Sequence, residues 1–234
     1  MDFEDRCVMI TGAAGALGRA VAQAFAGRGA RLALVDAQPA ALERQFGGDG
    51  DRRVLVGVDL LDARRVEAAL STAAARLGGV DVLCNLAGGF RMGTAVHETP
   101  DADWDAMFDV NVRTLLHATQ FVVPLMIARG RGSIVNVAAF AAQRGAARMG
   151  AYAASKSAVI RITETLSAEL REQGINVNCV LPTIIDTPAN RASMPDADPA
   201  RWVAPSDLAS VIAFLASDAA RAVHGAALPV TGLS

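Results

Sequence analysis

Aromatic residues are scarce in this chain, cysteine and histidine are rarer still, and no apolar run is long. Aromatics fill 5% of 234 positions, with a single tyrosine and two tryptophans. A core with so few rings must be built from small and branched aliphatics. Hydrophobic residues accordingly reach 52% and are rich in Ala, Val and Leu. Side chains of that size suit helices packed closely on a parallel sheet. Cys7, Cys84 and Cys179 lie far apart, each in or beside an apolar run. They read as buried, reduced thiols. His97, His117 and His224 are scattered and pair with no acid or cysteine at ligand spacing, so no metal site is expected. No apolar run approaches the ~20 residues of a membrane span. Residues 1–6 are short and acidic, unlike a signal peptide, which gives the expectation of a cytoplasmic protein. The formal net charge is -2, so no basic excess points to nucleic acid or to an anionic membrane. A small molecule is the expected partner.

Strand-like and helix-like runs alternate along the chain. Continuous apolar stretches predict strands over 6–10, 31–35, 53–58, 80–84, 133–138, 175–181 and 226–230. Helical spacing predicts helices over 15–27, 62–77, 101–129, 150–173 and 206–216, with Pro124 as the place for a bend. Apolar strands separated by helices mean an α/β fold, a doubly wound parallel sheet of about seven strands with helices on both faces. No linker or repeat interrupts residues 1–234. The segment 183–204 has weak periodicity and reads as a substrate lid. Such a sheet binds ligands beyond the carboxyl ends of its strands, here after Ile10, Val35, Cys84, Ala138 and Leu181.

Thr11-Gly12-Ala13-Ala14-Gly15-Ala16-Leu17-Gly18 follows the first strand and opens the first helix. Glycines let the backbone approach a pyrophosphate, and the helix start offers free N–H groups to it. A tight strand–helix turn is the plainer alternative. Asp36 ends the second strand about 20 residues on, where an acid can hold the adenosine ribose and repel a 2′-phosphate. Arg19 argues the other way, as a basic partner for that phosphate. The carboxylate acts more directly, so NAD(H) is favoured over NADP(H). Asp59 follows the third strand, facing either the adenine amino group or the start of the next helix as its cap. Asn85-Leu86-Ala87-Gly88-Gly89 follows the fourth strand with small residues that let a cofactor lie close.

Tyr152 and Lys156 stand four apart at a helix start and share a face. A free tyrosine, with pKa ~10, is a poor acid and base at neutral pH. A neighbouring ammonium is expected to lower that value and make the pair a general acid and base.

Thr11-Gly12…Gly18, Asp59, Asn85…Ala87-Gly88, Asn111, Tyr152, Lys156 and Pro182…Thr187 together make the chain resemble the short-chain dehydrogenase/reductase family over nearly its whole length. The resemblance implies a Rossmann-type domain with a nicotinamide cofactor. It implies that Tyr152 exchanges the proton, that Lys156 also holds the nicotinamide ribose, and that Asn111 sustains a water-linked proton relay. Gly12, Ala14, Gly15, Ala16, Leu17, Gly18, Asp36, Asp59, Leu60, Asn85, Ala87 and Gly88 would line the cofactor. Pro182, Ile185 and Thr187 would join them, the last two binding the carboxamide.

Four positions depart from the family pattern. Ala139 stands where the family carries a carbonyl-polarising serine, and losing one such donor costs about 10²–10³ in rate. Ala16, Leu86 and Thr183 replace a glycine, an asparagine and a glycine. One branch, the quinonoid dihydropteridine reductases, is similar in its Gly-Ala-Leu-Gly loop, in Cys84…Ala87-Gly88-Gly89, in the alanine and in the stretch 181–198 with Trp202. A quinonoid dihydropterin is an electron-poor C=N system and needs protonation more than polarisation. Three functions follow: a reductase of such activated substrates, a carbonyl reductase or alcohol dehydrogenase in which Thr183, Gln143 or water replaces the serine, and a weakly active or non-catalytic NAD(H) binder. Helices 101–129 and 150–173 are apolar on more than one face. In the family they pair across a twofold axis, so a homodimer or homotetramer is expected.

Overall fold

The computed structural model describes residues 2–234. The apolar runs become β1 (Cys7–Thr11), β2 (Arg31–Asp36), β3 (Arg53–Gly57), β4 (Val82–Asn85), β5 (Gly132–Val137), β6 (Ile175–Pro182) and β7 (Ala227–Val230). They form one parallel sheet in the order β3-β2-β1-β4-β5-β6-β7. The helices are α1 (Ala16–Ala26), α2 (Pro39–Phe46), α3 (Ala63–Leu77), α4 (Asp101–Phe108), α5 (Thr114–Arg129), α6 (Gly150–Leu170), α7 (Pro188–Ser193) and α8 (Pro205–Ala216).

Strand side chains alternate between two apolar layers, which is why the strands are mostly apolar. Val8 and Ile10 face α1 and α8, where they meet Val21, Phe25, Leu208 and Ile212. Cys7 and Met9 face α3 and α5, where they meet Leu70, Leu77, Val122 and Met126. All three cysteines are buried and unpaired, as expected. The chain winds outward through β1, β2 and β3, then returns to place β4 on the other side of β1. That reversal opens a crevice at the carboxyl ends of β1 and β4. Among the described residues, no helix is long and apolar enough to cross a membrane.

Three details differ from the sequence reading. Helix α2 forms between β2 and β3, although it buries only Leu42. The predicted helix 101–129 is split by a π-helical turn, Asp109–Arg113, while α5 runs on through Pro124. The segment 183–204 is not featureless. Thr187 caps α7, a 3-10 turn spans Pro199–Arg201, and Ile185 bridges Val203.

Candidate active site

The glycine loop is shaped by close approach. Gly12 takes φ +65°, and a Cβ there would lie 2.8 Å from the backbone nitrogen of Ala87. A Cβ on Gly18 would lie 2.4 Å from the Gly12 carbonyl oxygen. Both glycines are therefore needed to bring β1, α1 and the loop after β4 together. Thr11 ties the same loops, its hydroxyl accepting from the N–H of Leu86 at 3.1 Å and of Ala87 at 3.2 Å. Among the described residues no side chain caps the start of α1 at Gly15, which leaves its first N–H groups free for an anion. The Asp36 carboxylate closes the far side. It accepts from Ala14 N–H and from Gln38 N–H, both at 3.0 Å. Arg19 is exposed on the first turn of α1. This cradle of bare backbone and free N–H groups fits a dinucleotide pyrophosphate.

Asp59 is not a helix cap. Its carboxylate accepts from Leu61 N–H at 2.9 Å, and Asp62 caps α3. Leu60 is buried, with its carbonyl accepting from or facing His117 Nδ1 at 2.6 Å. Asn85 turns inward, donating to Asn136 Oδ1 at 2.9 Å, and Asn136 donates to Thr163 at 2.9 Å. The Asn85 amide oxygen is buried with no partner among the described residues. Pro182 closes β6 in the interior, and the Ile185 carbonyl accepts from Asn190 at 2.8 Å.

Two of the catalytic candidates, Asn111 and Lys156, converge over Gly88. A Cβ there would lie 2.9 Å from Asn111 Oδ1 and 3.1 Å from Lys156 Nζ. Asn111 sits in the π turn and is 1% exposed. Its amide donates to Gly89 O and Ser155 Oγ and accepts from Gly89 N–H at 2.9 Å. Lys156 donates to the Val137 carbonyl at 2.9 Å. One turn earlier, the Tyr152 ring meets Phe90 edge-on at 4.9 Å. Phe90, Met92 and Phe140 are exposed apolar groups that give this region a mouth.

The pKa expectation is corrected. Burial pushes Tyr152 up to about 12, not down. Burial also pushes Lys156 down to about 8. The ammonium is spent on a carbonyl rather than on the phenol, and desolvation dominates both groups. Ala139 is buried at the end of β5, opening the 3-10 turn Phe140–Gln143. Its methyl can polarise nothing. Thr183 is no substitute, because its hydroxyl donates to Thr231 O at 2.9 Å and meets Ser234 Oγ at 2.8 Å. Gln143 is exposed at the far end of its turn. Trp202 is buried, at 7% exposure, and does not form an open wall of the site.

Sequence reasoning missed Phe90, Ser155 and the Val137 carbonyl, which come from separate elements. One signal was available. Lys156 is the only lysine in the chain, and every other basic side chain besides histidine is arginine.

The family described as short chain dehydrogenase matches residues 6–198. A D-threitol dehydrogenase of Mycolicibacterium smegmatis is 36% identical over 98% of this chain and 93% of its own. The solved 3-ketoacyl-(acyl-carrier-protein) reductase of Brucella melitensis, complexed with NADH, superposes with a TM-score of 0.88. It is 32% identical over 98% of both chains. A gluconate 5-dehydrogenase of Burkholderia cenocepacia, in complex with NADP and tartrate, gives 0.89 at 30% identity, over 98% of this chain and 95% of that one.

Proposed function

The chain belongs to the short-chain dehydrogenase family as an NAD(P)-dependent oxidoreductase, and from that premise we propose an NAD(H)-dependent reductase whose substrate arrives already activated. The observation that carries this reading is the apolar end of β5. Ala139 offers no hydroxyl, and Thr183 is committed to the carboxyl-terminal tail. An electron-poor C=N or quinonoid system, of which quinonoid dihydropterin is one, accepts hydride without a polarising donor. It needs a proton, and Tyr152 supplies it.

The cofactor would rest on the Gly12–Gly18 loop and the start of α1, and when bound it supplies the hydride. Asp36 would hold the adenosine ribose, which favours NAD(H) because its carboxylate repels a 2′-phosphate. Lys156 would turn from the Val137 carbonyl toward the nicotinamide ribose. From there its positive charge favours the phenolate that Tyr152 leaves behind. Asn111 anchors the backbone of Gly89 beside both groups. Ile185 and Thr187 would hold the carboxamide end. Retention of Tyr152, Lys156 and Asn111 together argues against a mere NAD(H) binder.

A second reading is a dehydrogenase of simple alcohols or polyols, favoured by the likeness to D-threitol dehydrogenase. Partly or fully exposed Phe121, Leu125 and Ile127 on α5, with Ile162 and Leu166 on α6, support pairing of two copies through these helices. Light scattering that shows only monomer at micromolar concentration overturns that pairing. A panel of quinonoid dihydropterin, quinones, ketones and polyols, followed by NADH absorbance, separates the two functions. Ketone turnover far above that of every activated substrate overturns the first. Ala139→Ser should raise ketone reduction and leave reduction of an activated substrate little changed.

A further inference from the structure

The opposite end of the sheet carries a second cavity, of about 360 Å³, beneath the amino ends of β5 and β6. Arg6, Arg131, Arg171 and Arg221 line it, together with Asp81 and Asp218. Four guanidiniums thus face two carboxylates, and both carboxylates are already covered. Asp218 takes Arg6 at 2.5 Å, and that bond, with Arg131 and Arg221 nearby, holds its carboxyl below the usual range. Asp81 is shared by Arg131 at 3.2 Å and Arg129 at 3.6 Å, and accepts from Cys7 N–H at 2.9 Å. Arg171 and Arg221 have no side-chain partner among the described residues.

A second observation is independent of the charges. Ser133, at the start of β5, is nine-tenths buried and lines the same cavity. Its hydroxyl has no hydrogen-bond partner among the described residues. A hydroxyl that opens onto the cavity with no protein partner is free to donate to a ligand there. Beside it stand guanidiniums whose planar donors match phosphate oxygens. We infer that this cavity binds a small phosphoryl oxyanion, gripped by Arg171 and Arg221 at the rim and by Ser133 at the floor. The recess suits a compact anion rather than a nucleic-acid backbone, which would run past it over a chain of net charge -2. The site lies across the sheet from the cofactor crevice and owes nothing to the reaction proposed above.

The test is calorimetric titration of inorganic phosphate, glycerol phosphate and pyrophosphate into protein saturated with NADH. Saturation fills the crevice's own pyrophosphate-binding loop. At least one of the three should bind, with affinity falling about tenfold or more in Arg171→Gln/Arg221→Gln. Both arginines are exposed and unpartnered, so the double variant should fold and turn over substrate like the parent. Ser133→Ala should weaken the same ligand by a smaller factor. Three results overturn the inference: no binding of any probe beyond that of sodium chloride at equal ionic strength, unchanged affinity in the double variant, or tighter binding of duplex DNA that displaces the probe.

Discussion

The two ends of the sheet bury charge to the same depth and compensate it in opposite ways. At the amino end, Asp81 is 8% exposed and answered by two arginines and a backbone N–H. At the carboxyl end, Lys156 is 6% exposed and answered by one neutral carbonyl. Its neighbour Tyr152 is also pushed off its ordinary pKa by burial. Strained protonation of this kind gathers at working sites, where a group must change charge during turnover. The amino end holds its charges still; the carboxyl end keeps them ready to move.

The largest test of that contrast removes the proton donor. Tyr152→Phe should cut turnover by about 10²–10⁴ while leaving the fold intact, read as kcat beside a thermal melt. Asp81→Ala should do the reverse, costing about 3 kcal/mol of stability in urea unfolding with kcat nearly unchanged. Lys156→Met should abolish turnover yet stabilise the protein by about 2 kcal/mol at pH 7, since it removes an uncompensated buried ammonium and one hydrogen bond. Equal destabilisation by both substitutions would erase the contrast.

The smallest effect is in pH. Lys156 has a folded pKa of about 8 against 10.5 unfolded, so between those values the unfolded chain binds more protons and this group makes stability rise with pH. The buried thiols work against it. Cys7 is raised to about 12 and Cys179 to about 11 from 9, with Cys84 higher still, so stability falls as pH climbs past 9. Tyr152 adds to the fall above pH 10. From pH 8 to 9 the Lys156 gain of about 1 kcal/mol is offset by the three thiols, so unfolding free energy should stay nearly level and then drop. Lys156→Met should turn that level stretch into a fall of about 1 kcal/mol. Arginine does not titrate here, so the gain that offsets the thiols belongs to one side chain.

The sheet was legible because its strands are mostly continuous apolar runs. Helix α2 was not, since a helix that buries only Leu42 leaves almost no periodic trace. The π turn escaped because apolar spacing continues across Asp109–Arg113 from α4 into α5. The residues of the site were legible as a family pattern: Asn111 and Lys156 meet beside Gly88, and Asp36 holds the Gly12–Gly18 loop through the Ala14 N–H. Their electrostatics were not. Phe90 over Tyr152, and the Val137 carbonyl on Lys156, come from distant elements, and burial has no one-dimensional signature.

The lone lysine also makes the folded chain almost blank to amine chemistry. Every other basic side chain that projects from its surface is a guanidinium or an imidazole, and the one ε-amine is folded inward. Acyl donors can reach Lys156 only when the crevice opens, so its labelling rate becomes a clock for local unfolding at the catalytic end.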